Sequence, residues 1–349
     1  MKVYLLKIKD YDELKFHKSY LDNILNDIEG NILIKPNILG AFLPEKCVTT
    51  HPKFLEWILD YLLNKDVNIV VGDSSAYNTE KALNVSGIKE VCEKYGIKCI
   101  AFEKDKSKKV NICGVDVLLP KSYFNADYIL NLPKLKTHVL TKFTGAVKNL
   151  YGLIPGGLKG KIHSYYPSEV DFCKFLADFY KFINKDKKII TIMDGICALE
   201  GNGPSAGNPK NLGVVIASKN PVAVDYFTTY YIGYNPEKIL TNRLLKNFND
   251  LVVIEDNKIY NFREIKPVKF KKPITSLLPL PPFIIKMLFN LLTYKPKIVK
   301  SKCKRCGICR KVCPVNAITK NYKITNKCIR CYCCFESCPH KAIKLTIFL

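Results

Sequence analysis

Short aliphatic runs alternate with amphipathic stretches along the first two thirds of the chain. Asn31–Lys35 (N-I-L-I-K) is one such run, closed by Pro36-Asn37; Val67–Val71, Ile97–Phe102, Asp127–Leu132, Lys188–Met193 and Gly213–Ala217 are the others. Each has the length of a buried strand and most end in turn-forming residues. Between them, Pro52–Asn64 sets Phe54, Ile58, Tyr61 and Leu62 on one side of a helix. Thr79–Tyr95 reads as one or two helices interrupted near Gly87, and Pro221–Tyr231 as another helix. Strands alternating with helices predict an α/β fold with a mainly parallel sheet.

Ligands of such sheets bind beyond the carboxyl ends of the strands. Asn37, Asp73, Lys134 and Asp194 all fall at predicted strand ends, and one sheet edge would gather them. The stretch Asn131–His163 carries the strongest polar signal. No acidic residue lies between Asp127 and Glu169, yet Lys134, Lys136, His138, Lys142, Lys148, Lys159, Lys161 and His163 do. Uncompensated positive charge opposes folding, so a bound anion is the reason the pattern suggests. Leu140–Leu150 reads as a helix with Leu140, Phe143, Val147 and Leu150 on its buried face and Thr141, Thr144, Gly145 and Lys148 opposite. Thr137 or His138 would then stand at an anion-binding helix start. Gly152-Leu153-Ile154-Pro155-Gly156-Gly157-Leu158-Lys159-Gly160-Lys161 reads as a glycine loop, and Gly201–Gly207 as a second site-lining loop. The first lacks phosphate-loop spacing, and no G-x-G-x-x-G follows a strand, which excludes triphosphate hydrolysis and a nicotinamide or flavin fingerprint.

Composition adds a formal charge of +24 on 349 residues, which suits anionic partners without choosing among them. It also adds fifteen cysteines, nine of them after position 300. Met1–Asp10 has four charges and no apolar core, so the expected compartment is the cytoplasm, where clustered cysteines bind metal rather than form disulfides. Cys303, Cys306, Cys309 and Cys313-Pro314 form C-x2-C-x2-C-x3-C-P, and Cys328, Cys331, Cys334 and Cys338-Pro339 repeat it; Ala317-Ile318 recurs as Ala342-Ile343. In this spacing three thiolates wrap one cubane and the fourth reaches the other. The expected ligands are Cys303, Cys306, Cys309 and Cys338 for one [4Fe–4S] cluster, and Cys328, Cys331, Cys334 and Cys313 for a second. Zinc is the alternative for any C-x2-C, and two full copies with the proline argue against it. Cys333 is extra, expected as a bystander or as a residue tuning potential by packing.

The pattern L-P-K-L-K-T-H…T-G-A-V-K-N-L-Y-G…H, with M-D-G…G-N-G-P…G and N-P-V-A-V-D downstream, resembles the DUF362 family of iron–sulfur-associated proteins. Lys35–Asn37 and Val71–Asp73 match it too, and the likeness covers about residues 1–260. The resemblance implies a Rossmann-like α/β domain, often joined to a ferredoxin module, and some related proteins look like ferredoxin-linked reductases. Ser301–Leu349 resembles bacterial-type two-cluster ferredoxins. The expected organisation is therefore an α/β domain over 1–265, a Pro/Lys-rich linker over 266–300, and a small α+β ferredoxin-type domain over 301–349. Pro282–Leu292 in the linker is apolar and too short to span a bilayer, which needs about twenty residues. It reads as a helix packed between domains, ahead of a membrane-surface anchor.

Together these features point to an iron–sulfur oxidoreductase that passes electrons through two clusters to an anionic small molecule. Lys35, Asn37, Asp73, Lys134, Lys136, Thr144 and Asn149 are the expected binding residues. Lys148 and Lys136 would stabilise developing negative charge, His138 or His163 would donate a proton, and Asp73 or Asp194 would orient a histidine or lysine or bind a cation. A redox protein partner is expected as electron donor or acceptor. The second reading is a non-enzymatic electron carrier or adaptor with the α/β part as docking platform. Nucleic-acid binding rests on charge alone and ranks last.

Overall fold

The computed structural model describes residues 1–276 and 294–347. Pro282–Leu292 lies outside the described residues. In chain order the strands are β1 (Lys2–Lys7), β2 (Gly30–Pro36), β3 (Val67–Asp73), β4 (Lys98–Ala101), β5 (Ser107–Ile112), β6 (Val115–Pro120), β7 (Tyr128–Leu132), β8 (Lys134–His138), β9 (Lys142–Thr144), β10 (Lys188–Glu200), β11 (Asn208–Ser218), β12 (Val252–Glu255) and β13 (Lys258–Asn261). Eleven of them form one sheet in the order β13-β12-β1-β11-β10-β7-β2-β3-β4, with β8 and β9 branching from β10. The run β10-β7-β2-β3-β4 is parallel throughout, while β11 pairs antiparallel with both β1 and β10. The fold class is α/β, with a mostly parallel mixed sheet.

Successive residues of the central strands feed opposite cores, as the two-residue period of a strand requires. Leu33, Ile129, Ile189, Val214 and Ile216 join one core; Ile32, Ile34, Leu130, Ile190, Val215 and Ala217 join the other. Helices α1 (Lys18–Leu25), α2 (Pro52–Leu62), α3 (Thr79–Val85) and α4 (Ile88–Lys94) cover the second face. The interruption expected near Gly87 is real: Gly87 sits at φ 76° between α3 and α4, a conformation open to glycine. After α5 (Lys121–Asn125), the other face is covered by α6 (Ala146–Leu150), α7 (Gly156–Tyr165), α8 (Glu169–Asp186) and α9 (Pro221–Tyr231). α8 has a Ser168 cap and sets Phe172, Phe175, Phe179 and Ile183 along its buried side. The C-terminal part folds around β14 (Tyr294–Ile298) paired with β15 (Ile343–Ile347), and its Cys309, Ile318, Tyr332, Phe335 and Ile343 share the core of α6 and α8.

Two local expectations are corrected. Leu140–Leu150 is not one helix. β8 and β9 make a hairpin, Lys136 opposite Thr144 and His138 opposite Lys142, and only Ala146–Leu150 is helical. The second half of the thirteen-residue β10 offers β8 an edge to pair with, and Thr137, Val139, Thr141 and Thr144 suit extended backbone. The glycine stretch after it is not a loop of unusual dihedrals either. It forms a short turn and then α7, and none of Gly152, Gly156, Gly157 and Gly160 has positive φ. What Gly152 supplies is proximity, since a Cβ there would lie 2.5 Å from Asp73 Oδ1 and 2.6 Å from Lys35 Nζ. No helix of the described residues is long and apolar enough to cross a membrane.

Candidate functional site

β2 is flanked by β3 on one side and by the later strand β7 on the other, so chain order reverses there, which is where open α/β sheets bind ligands. Lys35 is the penultimate residue of β2, Asn37 follows the strand immediately, and Asp73 ends β3. Beyond these ends opens a cavity of about 280 Å³, walled by α6, α7 and the loop Ser74–Ala76. Its opposite wall is Lys311–Pro314, Cys333, Glu336 and Ser337 from the cysteine-rich part, so the basic face and the cysteine motifs share one chamber. Six lysines line it against two carboxylates.

Lys35 Nζ pairs with Asp73 Oδ1 at 2.6 Å, both side chains sealed from solvent. Burial pushes the lysine down and the carboxyl up, and their mutual attraction opposes both shifts. Asp73 Oδ2 also accepts the Ile38 N–H at 2.6 Å. Lys136 Nζ donates to Asn37 Oδ1 at 2.6 Å and to the Val48 carbonyl at 2.7 Å, with no carboxylate partner among the described residues. Burial, then the neighbouring Lys148 and Lys134, push it well below the ordinary lysine range. Asn37 Nδ2 donates to Asn149 Oδ1, and Asn149 Nδ2 to Asn131 Oδ1, each at 2.8 Å, which locks the amides beside Lys136. Lys148 Nζ has no hydrogen-bond or ion-pair partner among the described residues; it lies 5.8 Å from the Phe172 ring. Its pKa is lowered by burial against the pull of Glu336. His163 stacks on Phe172 at 4.1 Å; its Nδ1 is buried without a partner, and burial and Lys148 bring it down to about 3.

Lys159 donates to the Ser74 carbonyl and, at 3.0 Å, to Ser74 Oγ. Burial pushes it down to about 8 from 10.5, against Asp73 and Glu103. An anion binds the protonated amine better, so affinity for an anion should fall as pH rises through about 8. Isothermal titration between pH 7 and 10 reads this step, and Lys159→Met should flatten it. Stability runs the other way: between about 8 and 10.5 the unfolded chain holds the proton and the folded chain does not, so this group's contribution rises with pH there.

Of the residues expected from sequence, Lys35, Asn37, Asp73, Lys136, Thr144, Lys148, Asn149 and His163 line the cavity. Lys134 and Asp194 do not. They form a separate sealed ion pair at 2.8 Å, completed by Tyr11, whose hydroxyl donates to Asp194 Oδ1 at 2.9 Å, and by the His51 N–H on Oδ2 at 3.0 Å. Every lone-pair direction of that carboxylate is engaged inside the fold, which corrects the expected catalytic and binding roles of the two residues. His138 stands behind the wall. Its Nδ1 accepts the Leu140 and Thr141 N–H groups at 3.0 and 3.3 Å, which places the ring proton on Nε2. Nε2 is 3.3 Å from Glu336 Oε1, yet misaligned, so neither atom has a hydrogen-bond partner. Nor does a helix start bind the anion: the N–H groups of Ala146 and Val147 donate to Asp225 at 2.6 and 2.9 Å. That explains both the aspartate of N-P-V-A-V-D and Gly145, where a Cβ would collide with Asp225.

Sequence reasoning named Lys159 and Gly152 only as parts of the basic, glycine-rich stretch, and it missed Ser74, Tyr151 and Glu336 as lining residues. Glu336 had a signal, being the sole carboxylate side chain after Glu264 in the chain. From the second loop, Pro204 reaches the cavity, and Ser205 Oγ donates to the Glu336 carbonyl at 2.7 Å. Cys333 lines the chamber instead of standing aside. Cys47 and Cys197, two of the six cysteines outside the C-terminal cluster, form a disulfide with Cα atoms 5.9 Å apart, which the sequence reading did not foresee.

In the C-terminal part, Cys303, Cys306, Cys309 and Cys338 line one small cavity with Ile298, Ile308 and Ile343. Cys313, Cys328, Cys331 and Cys334 line another with Ala317, Ile318 and Ile324. The two groupings are those expected from the spacing. Among the described residues no three ligating side chains converge on a single-ion position; the thiols of each set share a small cavity, the first opening among Lys304, Arg305 and His340 and the second walled by aliphatic residues and Tyr332. The backbone repeats with the sequence: Ala317 N–H donates to Cys313 Sγ at 3.2 Å and Ala342 N–H to Cys338 Sγ at 3.3 Å.

The family described as a domain of unknown function (DUF362) matches residues 32–230, and the 4Fe-4S binding domain matches residues 296–319. The latter gives the chain at least one iron–sulfur cluster and an electron-transfer role. The thylakoid-associated protein sll1697 of Synechocystis sp. is 29% identical over 212 residues, covering 60% of this chain and 65% of that protein, so the chain spans just under two thirds of its curated relative. Among solved structures, the lactate racemase apoprotein of Thermoanaerobacterium thermosaccharolyticum has a TM-score of 0.41 at 12% identity, covering 62% of this chain and 54% of that one. A Thermotoga maritima protein has a TM-score of 0.40 at 12% identity, covering 70% and 62%.

Proposed function

The chain belongs to the DUF362 family, and from that premise we propose that it is an iron–sulfur reductase of a small anionic molecule held in the cavity between the α/β sheet and the cysteine motifs. The observation that carries this reading is the shared chamber: unpaired lysine charge on one wall, Cys313 and Cys333 on the other. We assign Cys303, Cys306, Cys309 and Cys338 to one [4Fe–4S] cluster and Cys313, Cys328, Cys331 and Cys334 to a second, supported by the two cavities they line. When bound, the clusters would supply electrons one at a time.

The chain's own residues do the rest. Lys148, Lys136 and Lys159 bind the anion and stabilise the charge that grows on it during reduction. Asn37 and Asn149 hold Lys136 in place. The Lys35–Asp73 pair forms the floor, and His163, held neutral by burial and by Lys148, lines the cavity as a neutral hydrogen-bonding group rather than as a proton donor. His138 lies behind Glu336, its Nε2 3.3 Å from Oε1, and is outside the cavity lining.

The test is anaerobic. The purified holoprotein is reduced with dithionite, its iron is counted, and fractions of an anionic metabolite extract are added while the cluster absorbance is followed. About eight iron atoms per chain, and reoxidation by one small-molecule fraction, support the reading. Reoxidation by protein acceptors alone would overturn the reductase and leave a carrier.

A further inference from the structure

The two cysteine sets are not equivalent in their surroundings. Cys313 of one set, together with its neighbours Val312 and Pro314, forms part of the wall of the anion cavity. Cys306 of the other set is exposed, and its small cavity opens among Lys304, Arg305 and His340, all of them exposed. The module that carries both sets is itself one-sided in charge. Residues 294–347 hold fourteen lysines and arginines against the single carboxylate of Glu336, and that side chain is turned inward to the cavity. Even with the negative charge two thiolate-bound clusters would bring, the outer surface keeps a large positive excess. Lys302, Lys304 and Arg305 make no ion pair among the described residues, so nothing there offsets the charge.

Building on the cluster assignment above, we propose that the exposed edge around Cys306, formed by Lys304 and Arg305 with Lys302 next to Cys303, is the docking face for a small acidic one-electron carrier protein. Electrons then pass inward from the Cys303 set to the Cys313 set and the cavity. Charge complementarity selects the partner and speeds its encounter. A redox protein fits better than nucleic acid or a lipid surface, because the charge surrounds the exposed ligand of an electron-transfer centre. An inert polyanion seated there would only insulate it. The burial pattern agrees with this direction: Cys331 and Cys334 of the inner set are buried, whereas the outer set includes exposed Cys306.

The experiment mixes holoprotein with a plant-type ferredoxin, a strongly acidic carrier, in an anaerobic stopped-flow. It measures the second-order rate of electron exchange in whichever direction is downhill. The reference reagent is reduced methyl viologen, a small cation. The variant is Lys302→Glu/Lys304→Glu/Arg305→Glu, and the charge-matched control is Lys174→Glu/Lys181→Glu/Lys185→Glu on α8. At low ionic strength the face variant should exchange with ferredoxin at least about tenfold more slowly than wild type, a gap that closes in about 0.5 M salt. Its iron content and its viologen reaction should not fall. An equal loss in the α8 control, no loss in the face variant, or no ferredoxin reaction in wild type would each overturn the docking face. So would a DNA duplex that binds the face as tightly as ferredoxin at the same salt. None of these readouts uses the cavity ligand, so failure here and failure of the reductase reading are told apart.

Discussion

Lys148→Met should abolish turnover of the cavity ligand while leaving the fold as stable as before or more so. Lys148 has neither a hydrogen bond nor an ion pair among the described residues, and it sits in the field of Lys136 and His163. Burial already lowers its affinity for a proton, so its charge is held at a cost. A charge kept without a partner is destabilising, and a bound anion relieves that strain. Methionine keeps most of the stem packed by Phe172 and removes the ammonium. Losing one group that stabilises developing charge costs about 100-fold or more in rate. The measurement pairs ligand-dependent reoxidation with thermal unfolding. A large rate loss at unchanged or raised Tm, with iron content intact, is the expected result. A parallel fall in Tm and rate would instead make Lys148 a structural residue.

Gly152→Ala should produce the larger stability loss. The added methyl would lie 2.5 Å from Asp73 Oδ1 and 2.6 Å from Lys35 Nζ, too close for either atom to stay. Neither ion has water to retreat into, since both side chains are sealed. The carboxylate is further tied to the Ile38 and Ser74 N–H groups at 2.6 and 2.7 Å. Separating a buried pair leaves an uncompensated charge, which costs about 3–5 kcal/mol. Relaxation of the turn at 151–153 recovers part of that, so a loss of about 3 kcal/mol is expected in denaturant unfolding. The cavity floor should loosen with it, and ligand affinity should fall. Gly157→Ala, where an added Cβ meets nothing within 4 Å, is the control and should be close to neutral.

The strands of the parallel block were legible because buried strands declare themselves as short aliphatic runs, and β2, β3, β4, β7, β10 and β11 all follow runs seen in the sequence. α2, α9 and the α3–α4 break at Gly87 were legible for a related reason: local periodicity and a glycine at positive φ are one-dimensional signals. The β8–β9 hairpin was not. Its residues fit a helix by spacing, and only the free edge of β10, far along the chain, makes the extended form better.

The candidate site divides in the same way. Acid-free Asn131–His163 announced a binding region, and eight of the eleven expected cavity residues do line the chamber. The exceptions are instructive. Lys134 and Asp194 each look like a strand-end functional group, and nothing local reveals that they neutralise one another across two strands. Gly145, placed by its spacing on the polar face beside Lys148, is a seat for Asp225, eighty residues later in the chain.

The cysteine spacing, by itself, predicted the two sets of thiols that line the two small cavities, because two-residue gaps keep three thiols together and the three-residue gap before proline sends the fourth to the other set. Sequence alone likewise determined the α/β class and the positive charge of the central stretch. What only the tertiary structure decided is the meeting of the two parts: that Glu336, Cys333 and Cys313 close the chamber above Lys35, Lys136 and Lys148. Contacts between segments that far apart in sequence are set by which surfaces pack together, and no local pattern encodes that choice.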